Sequence, residues 1–357
     1  MTATEPHGTR NAERGTLVVQ TAYLGDQVLT LPLLQRLAAR FGPVDVVTTP
    51  VAAPLLAGEP AVHRVIPYDK RGTDRGVTGL LRLAARLRAE GYARAFLPHR
   101  SLRTALLARL AGIPERTGFA GGWAGRWHTA RVERPASGHE SSRLAALAGL
   151  ASPPPAPWLT LTRESRRTAQ AWLDARGIGP EFIVLAPGAR WATKRWPSFP
   201  ELAPTLAQPV VVIGGPEDRE AGARVVRAAP DRSWNAAGDL TLPESAAVID
   251  RAALVVTNDS VALHLAVSLA RPVVAVVGPT GPAPGFEPMS ASDLVVAHPG
   301  LPCRPCSLHG HDRCPLGHHR CMLELGVDRV AAAVAARLAV IAGSQTRNAE
   351  RGTRNLQ

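Results

Sequence analysis

No stretch of this 357-residue chain approaches the roughly 18 apolar residues that a membrane-crossing helix needs, which predicts a protein that folds in water. The opening residues, MTATEPHGTRNAERG, lack the apolar core of a secretory signal, and the expected compartment is the cytoplasm. Aromatic residues are few. Three Tyr and six Phe offer little for stacking on bases, and no RNA-binding signature occurs, so a nucleic-acid or anionic-surface module ranks below the enzyme readings. Cysteine is scarce too, and all four residues fall within one short segment. The turn after the first apolar run is not a GxGxxG fingerprint, which counts against a nicotinamide dehydrogenase.

What is abundant is positive charge. The net charge is +12 and the cations are overwhelmingly arginine, whose forked guanidinium binds phosphates and carboxylates. Anionic partners would explain the excess, and so would a general arginine bias. The length suits two domains. Short β-branched runs alternate with helical stretches, the pattern of βαβ units in parallel sheets. Leu17–Gln20, Val44–Val47 and Ala95–Leu97 read as strands of a first half; Phe182–Ala186, Val210–Ile213, Leu254–Thr257 and Val273–Val277 read as strands of a second.

The boundaries expected are a disordered tail at 1–15, an N-terminal Rossmann-like domain at 16–151, and a proline-rich linker at 152–158. A C-terminal Rossmann-like domain follows at 159–343, closed by a helix over Val327–Ala342, with a second disordered tail at 344–357. The octapeptide TRNAERGT occurs in both tails, and we have no physical account of the duplication. The expected fold class is α/β, with two doubly wound parallel-sheet domains facing a cleft. Ligands of such sheets bind beyond the carboxyl ends of the strands.

The loops there carry the candidate chemistry. Gly25 and Asp26 follow the first strand; Asp26 can serve as a base on a sugar hydroxyl or simply cap the next helix. In the second half, Pro187, Gly188 and Ala189 lead to Lys194 and Arg195, a turn able to place amides and cations around a diphosphate. Asn258, Asp259, Ser260 and Val261 open a helix carrying His264; a helix start is anion-competent, and an ordinary N-cap with a packed histidine explains the same residues. Gly214–Asp218 offers carboxylates for ribose, and Gly278–Thr280 can meet phosphate or sugar.

Together, GDQVLTLP from Gly25, PGARWATKRWP from Pro187, GGPED from Gly214, NDSVALHLA from Asn258 and GPTGP from Gly278 resemble the heptosyltransferases of glycosyltransferase family 9. SLRTALLARLAGIPERTGF from Ser101 is similar to their N-terminal domain. The resemblance implies a GT-B fold and inverting, metal-independent transfer of heptose from ADP-heptose to a lipopolysaccharide inner-core acceptor at the inner face of the inner membrane. It implies Asp26 as base and Lys194 on the donor diphosphate. Gly188, Ala189, Asp218, Asp259, Ser260, Val261, His264 and Thr280 would complete the donor site. Lys70, Arg71, Arg100 and Arg116 are the acceptor candidates. Many members carry glycine where this chain has Val261; the side chain narrows the approach to the backbone and opens the alternative of a GDP- or UDP-sugar donor.

Cys303, Cys306, Cys314 and Cys321 lie among His309, His311, His318 and His319. Ligand type suggests a structural zinc, and a disulfide framework is disfavoured in the cytosol; reduced thiols packing a loop are the alternative.

Overall fold

The computed structural model describes residues 15–149, 156, 158–281, 285–290 and 293–354, the last of these (344–354) as backbone. The chain divides into two units between Pro154 and Pro155. Unit one holds β1 (Thr16–Val19), β2 (Val44–Thr48), β3 (Val62–Pro67), β4 (Arg94–Leu97), β5 (Glu115–Phe119) and β6 (Ala130–Val132). Unit two holds β7 (Ile183–Ala186), β8 (Val210–Val212), β9 (Ser233–Asn235), β10 (Leu254–Asn258), β11 (Val273–Val277) and β12 (Leu294–Ala297).

Both sheets are parallel throughout, in the orders β3-β2-β1-β4-β5-β6 and β12-β11-β10-β7-β8-β9. Each is the doubly wound Rossmann order, which reverses direction beside its first strand. The crevice for ligand therefore falls at the carboxyl ends of β1 and β4 in one unit and of β7 and β10 in the other. Central strands such as IVLA and VVAVV are buried on both faces by flanking helices, which is why they are apolar without alternation. In unit two the helix beginning at Val327 closes the core through Val330 and Val334.

Three expectations about boundaries change. The first helix spans Leu24–Phe41, so Gly25 and Asp26 lie in its first turn and not in a loop. It runs through Pro32 because Val28, Leu29, Leu31, Leu33, Leu34 and Leu37 are all buried, and that packing outweighs the lost amide bond. The last helix spans Val327–Arg354, so 344–354 is helical where a tail was expected. Of the linker 152–158, only Ala156 and Trp158 fall within the described residues; Trp158 is buried and its amide donates to the Ser268 carbonyl at 2.6 Å, so it belongs to the second core. The tail at 1–14 lies outside the described residues.

At the amino end of the first sheet, Asp45 of β2 is buried and fully engaged. It accepts from the Tyr92 hydroxyl, from Arg64 Nη2 at 2.9 Å and Nε at 3.1 Å, and pairs with His63 Nδ1 at 2.9 Å. Burial works to raise its carboxyl, but bonds from Tyr92, His63 and Arg64 outweigh it and hold the group below its ordinary range. A depressed carboxyl contributes stability that is complete above its unfolded pKa of about 3.9 and is lost as pH falls through the folded value. Asp45→Ala should therefore cost about 2–3 kcal/mol at pH 7 in urea unfolding, and the gap from wild type should narrow on acidification toward pH ~3.

Candidate active site

In the second unit, β7 ends in Pro187 and Gly188, and a short 3-10 turn, Ala192–Lys194, follows. β10, beside it, ends in Asn258. The fully buried Asn258 ties the two strand ends together: its Nδ2 donates to the Pro187 carbonyl at 2.7 Å and its Oδ1 accepts from the Trp196 amide at 3.1 Å. That places Lys194 against Asp259, Nζ to Oδ2 at 2.8 Å, with both side chains largely buried. Thr280, after β11, donates its hydroxyl to the same Oδ2 at 2.7 Å. Burial acts to raise the Asp259 carboxyl, while the Lys194 charge and the bonds from Lys194 and Thr280 prevail and hold it low. The result is a fixed cation at the switch point of a doubly wound sheet.

Ser260 precedes the helix Val261–Ser268, and its Oγ lies 3.2 Å from the Thr257 hydroxyl. Val261 is half-buried at the helix's first position, and His264 is buried one turn on, 6.3 Å ring to ring from Phe286. Asp218, the residue expected at the ribose, is largely buried. Its Oδ2 accepts from the Gly215 amide at 3.0 Å, and the carboxylate lies under Gly188, where a Cβ would come within 2.3 Å of it. Burial, with Glu217 adding, pushes the Asp218 carboxyl above its ordinary range. Glycine at 188 is thus required by close approach of a side chain. The Ala189 carbonyl accepts from Arg195 Nε at 2.9 Å, which fixes the turn. A cleft of about 290 Å³ opens beside these residues, lined among others by Pro187, Arg195, Trp196, Glu217, Asp218 and Arg224.

In the first unit, Asp26 is half-buried just beyond β1 and its Oδ2 accepts from the Tyr23 amide at 3.0 Å, so it does serve the helix start. A buried amide chain holds this turn on the sheet. Gln27 Nε2 donates to the Gln20 carbonyl at 2.8 Å, Thr48 donates to Gln27 Oε1 at 2.8 Å, and Gln20 Nε2 donates to Thr30 at 3.0 Å. Lys70 joins from the β3 side, its Nζ donating to the Thr21 carbonyl at 2.6 Å. Burial, with the Arg71 and Arg103 charges adding, pushes its pKa down, and burial with Lys70 does the same to His99. The Arg71 guanidinium lies 5.8 Å from the Tyr23 ring. Arg100, beyond β4, is exposed beside the Gly121–Gly122 turn.

Arg116 does not join them. Its guanidinium donates to the carbonyls of Ile113, Pro114 and Trp127, which lie before β5 and β6, at the opposite end of the sheet. Those bonds hold Arg116 at the amino edge of the sheet, apart from Lys70, Arg71 and Arg100.

The cysteine segment folds against the Lys194 turn. Thr193 exchanges bonds with His311, its Oγ1 to the His311 carbonyl at 2.7 Å and the His311 amide back to Oγ1 at 2.8 Å; His319 Nε2 is 2.8 Å from the Thr193 carbonyl. Gly310 packs so closely on Trp191 and Lys194 that a Cβ would come within 2.9 Å of each. Cys303, Cys306, Cys314 and Cys321 line one small cavity with His318 and His319. Among the described residues, however, no three His, Cys, Asp or Glu side chains are gathered so that they could hold a metal ion. The donor set suits zinc in type and not in spacing: Cys321 is buried in the core with Met322 while Cys306 is exposed.

Sequence reasoning passed over Asn258 as a positioning residue, and with it Gln27, Thr193 and His319. The available signal was an amide side chain at the edge of an apolar run, Gln27 before Val28–Leu29 and Asn258 after Leu254–Val256.

Comparison with known proteins gives a consistent result. The model of glycosyltransferase family 9 (heptosyltransferase) matches residues 80–314. Lipopolysaccharide heptosyltransferase 2 of Escherichia coli K12 is 31% identical over 289 residues, 74% of this chain and 83% of its own length. The solved E. coli ADP-heptose lipopolysaccharide heptosyltransferase II is 27% identical with a TM-score of 0.72, covering 91% of this chain and 98% of its own. E. coli heptosyltransferase WaaC with ADP-2-deoxy-2-fluoro heptose shares the fold at a TM-score of 0.63 and 23% identity, over 80% and 93% of the two chains.

Proposed function

Because the chain belongs to glycosyltransferase family 9, the heptosyltransferases, we propose that it transfers heptose from ADP-heptose to a lipopolysaccharide inner-core acceptor. The observation that carries this reading is the Lys194–Asp259–Thr280 cluster at the carboxyl ends of β7, β10 and β11, a buried cation where a doubly wound sheet receives a nucleotide. The second unit takes the donor, with Gly188, Ala189, Asp218, Ser260, Val261 and His264 around it. The first takes the acceptor, with Lys70, Arg71 and Arg100 meeting its anionic groups.

The transfer is a single inverting displacement. Asp26 accepts the proton of the acceptor hydroxyl as its oxygen bonds to the anomeric carbon, and the bond from that carbon to the diphosphate breaks. ADP departs with its charge met by Lys194 and by the amides opening the helix at Val261, a role that leaves no step for a catalytic metal. The enzyme works at the inner face of the inner membrane and has no nucleic-acid partner.

Nucleotide preference tests the donor. ADP should raise the thermal midpoint well above GDP or UDP at equal concentration; at one hundred times its Kd a ligand of the folded state adds about 2.7 kcal/mol. A larger shift with GDP or UDP would support the second reading, another nucleotide-sugar donor, which the half-buried Val261 at the head of the helix favours.

A structural zinc on Cys303, Cys306, Cys314 and Cys321 is a separate part of the proposal. It rests on four thiols lining one cavity and requires them to draw closer than they stand. Elemental analysis of untagged protein should find one zinc per chain, and chelation should lower the melting midpoint; protein free of zinc and indifferent to chelator would leave the thiols as packing groups.

A further inference from the structure

The crossover from β5 to β6 presents its large side chains outward. In the short helix Gly122–Gly125 and the residues after it, Ala124 and Gly125 are buried, while Trp123 is 75% and Trp127 39% exposed. This turn packs on the helix Leu102–Leu110, whose Leu102 is also exposed. The Arg126 guanidinium lies 6.0 Å from the Trp123 ring, and exposed Arg100 flanks the Gly121–Gly122 turn. Between Arg100 and Arg131 the chain carries six arginines and a single acid, Glu115. Two indoles left in water beside exposed guanidiniums are costly for a monomer and suit a surface that is apolar beneath and anionic above.

We propose that Trp123, Arg126 and Trp127, with Leu102, form the surface by which this chain docks on an anionic phospholipid bilayer, next to the Arg100 assigned to the acceptor. Indoles settle at the headgroup level, arginine stems lie along the apolar boundary with their heads at phosphate, and each cation near such a surface strengthens the attraction. A sugar platform would also use tryptophan, but it needs carboxylates or amides to bond hydroxyls, and residues 120–132 contain no Asp, Glu, Asn or Gln. The patch lies on the unit proposed to take the acceptor, and the inference rests on that reading for its purpose, not for its test.

The experiment is co-sedimentation with vesicles of phosphatidylcholine alone or mixed with phosphatidylglycerol, using the full chain, W123A/W127A and R126E. Wild type should partition to the mixed vesicles, weakly to neutral ones, and less as salt rises; both variants should lose about tenfold in partition. Both should keep the ADP-induced thermal shift and turnover on a deacylated, soluble acceptor. Variants that sediment like wild type would overturn the proposal. Loss of turnover on the soluble acceptor would overturn it too, by assigning the indoles to sugar. Vesicle binding lost in the variants while no form of the protein transfers heptose would leave the docking surface standing and remove the transfer reading.

Discussion

Asp26→Asn and Asp26→Ala should each lower kcat by about 10²- to 10⁴-fold with ADP-heptose and acceptor, and only the alanine variant should lose stability. The two roles of this residue separate because they need different things from one side chain. Holding the helix start needs an acceptor oxygen for the Tyr23 amide, which is 3.0 Å from Oδ2; an asparagine oxygen supplies that, and alanine forfeits it at about 1 kcal/mol. Taking a proton needs a carboxylate, which asparagine lacks. Chemical denaturation and single-turnover kinetics on both variants therefore answer separate questions. Full turnover by Asp26→Asn would reduce Asp26 to a helix-capping group. The buried Gln20, Gln27, Thr30 and Thr48 chain should keep the backbone of this turn in place in either variant, so a kinetic loss cannot be assigned to a displaced loop.

What sequence made legible here follows from burial. Strands in the middle of each sheet, such as β1, β7, β10 and β11, are covered on both faces and are apolar over most of their length, so they stand out as runs. β3, β6 and β9 are outer strands with mixed burial, carrying residues such as His63, Arg64, Arg131 and Asn235, and such polar residues blur the strand pattern. β5 was hidden in the same way by Glu115, Arg116 and Thr117. The first helix carries Pro32 in its interior, where proline is locally unfavourable, and the packing of its leucines overrules that preference. For the site, charged residues after strong strands could be found, whereas which charge pairs with which could not. Lys194 and Asp259 are 65 positions apart and meet only because β7 and β10 are neighbours. Arg116 shows the converse: position near a strand made it a candidate, and its reach toward the wrong end of that strand is a three-dimensional fact.

Lys194→Ala should lower turnover by about 10³-fold and weaken ADP binding, because it does more than remove one cation from the leaving diphosphate. The chain has two lysines, Lys70 and Lys194, and Lys194 is the one paired with Asp259. With the ammonium gone, the Asp259 carboxylate stays in a largely buried position with the Thr280 hydroxyl still donating to it, and its negative charge would oppose an incoming diphosphate. Asp259→Asn alone should do less harm to ADP affinity, since it leaves Lys194 unpaired and available to phosphate. The double variant should bind ADP better than Lys194→Ala, as removal of the stranded carboxylate offsets part of the loss; residues that share one interaction are not additive. Lys194→Arg tests position rather than charge: a planar guanidinium is larger than the ammonium it replaces, and the ammonium sits largely buried 2.8 Å from Asp259 Oδ2, so activity should stay low. Calorimetric titration of ADP into wild type, the two single variants Lys194→Ala and Asp259→Asn, and the double variant measures this directly. An additive cycle, with the double variant no better than Lys194→Ala, would mean that Asp259 does not act on the diphosphate through Lys194 and that the two residues contribute separately.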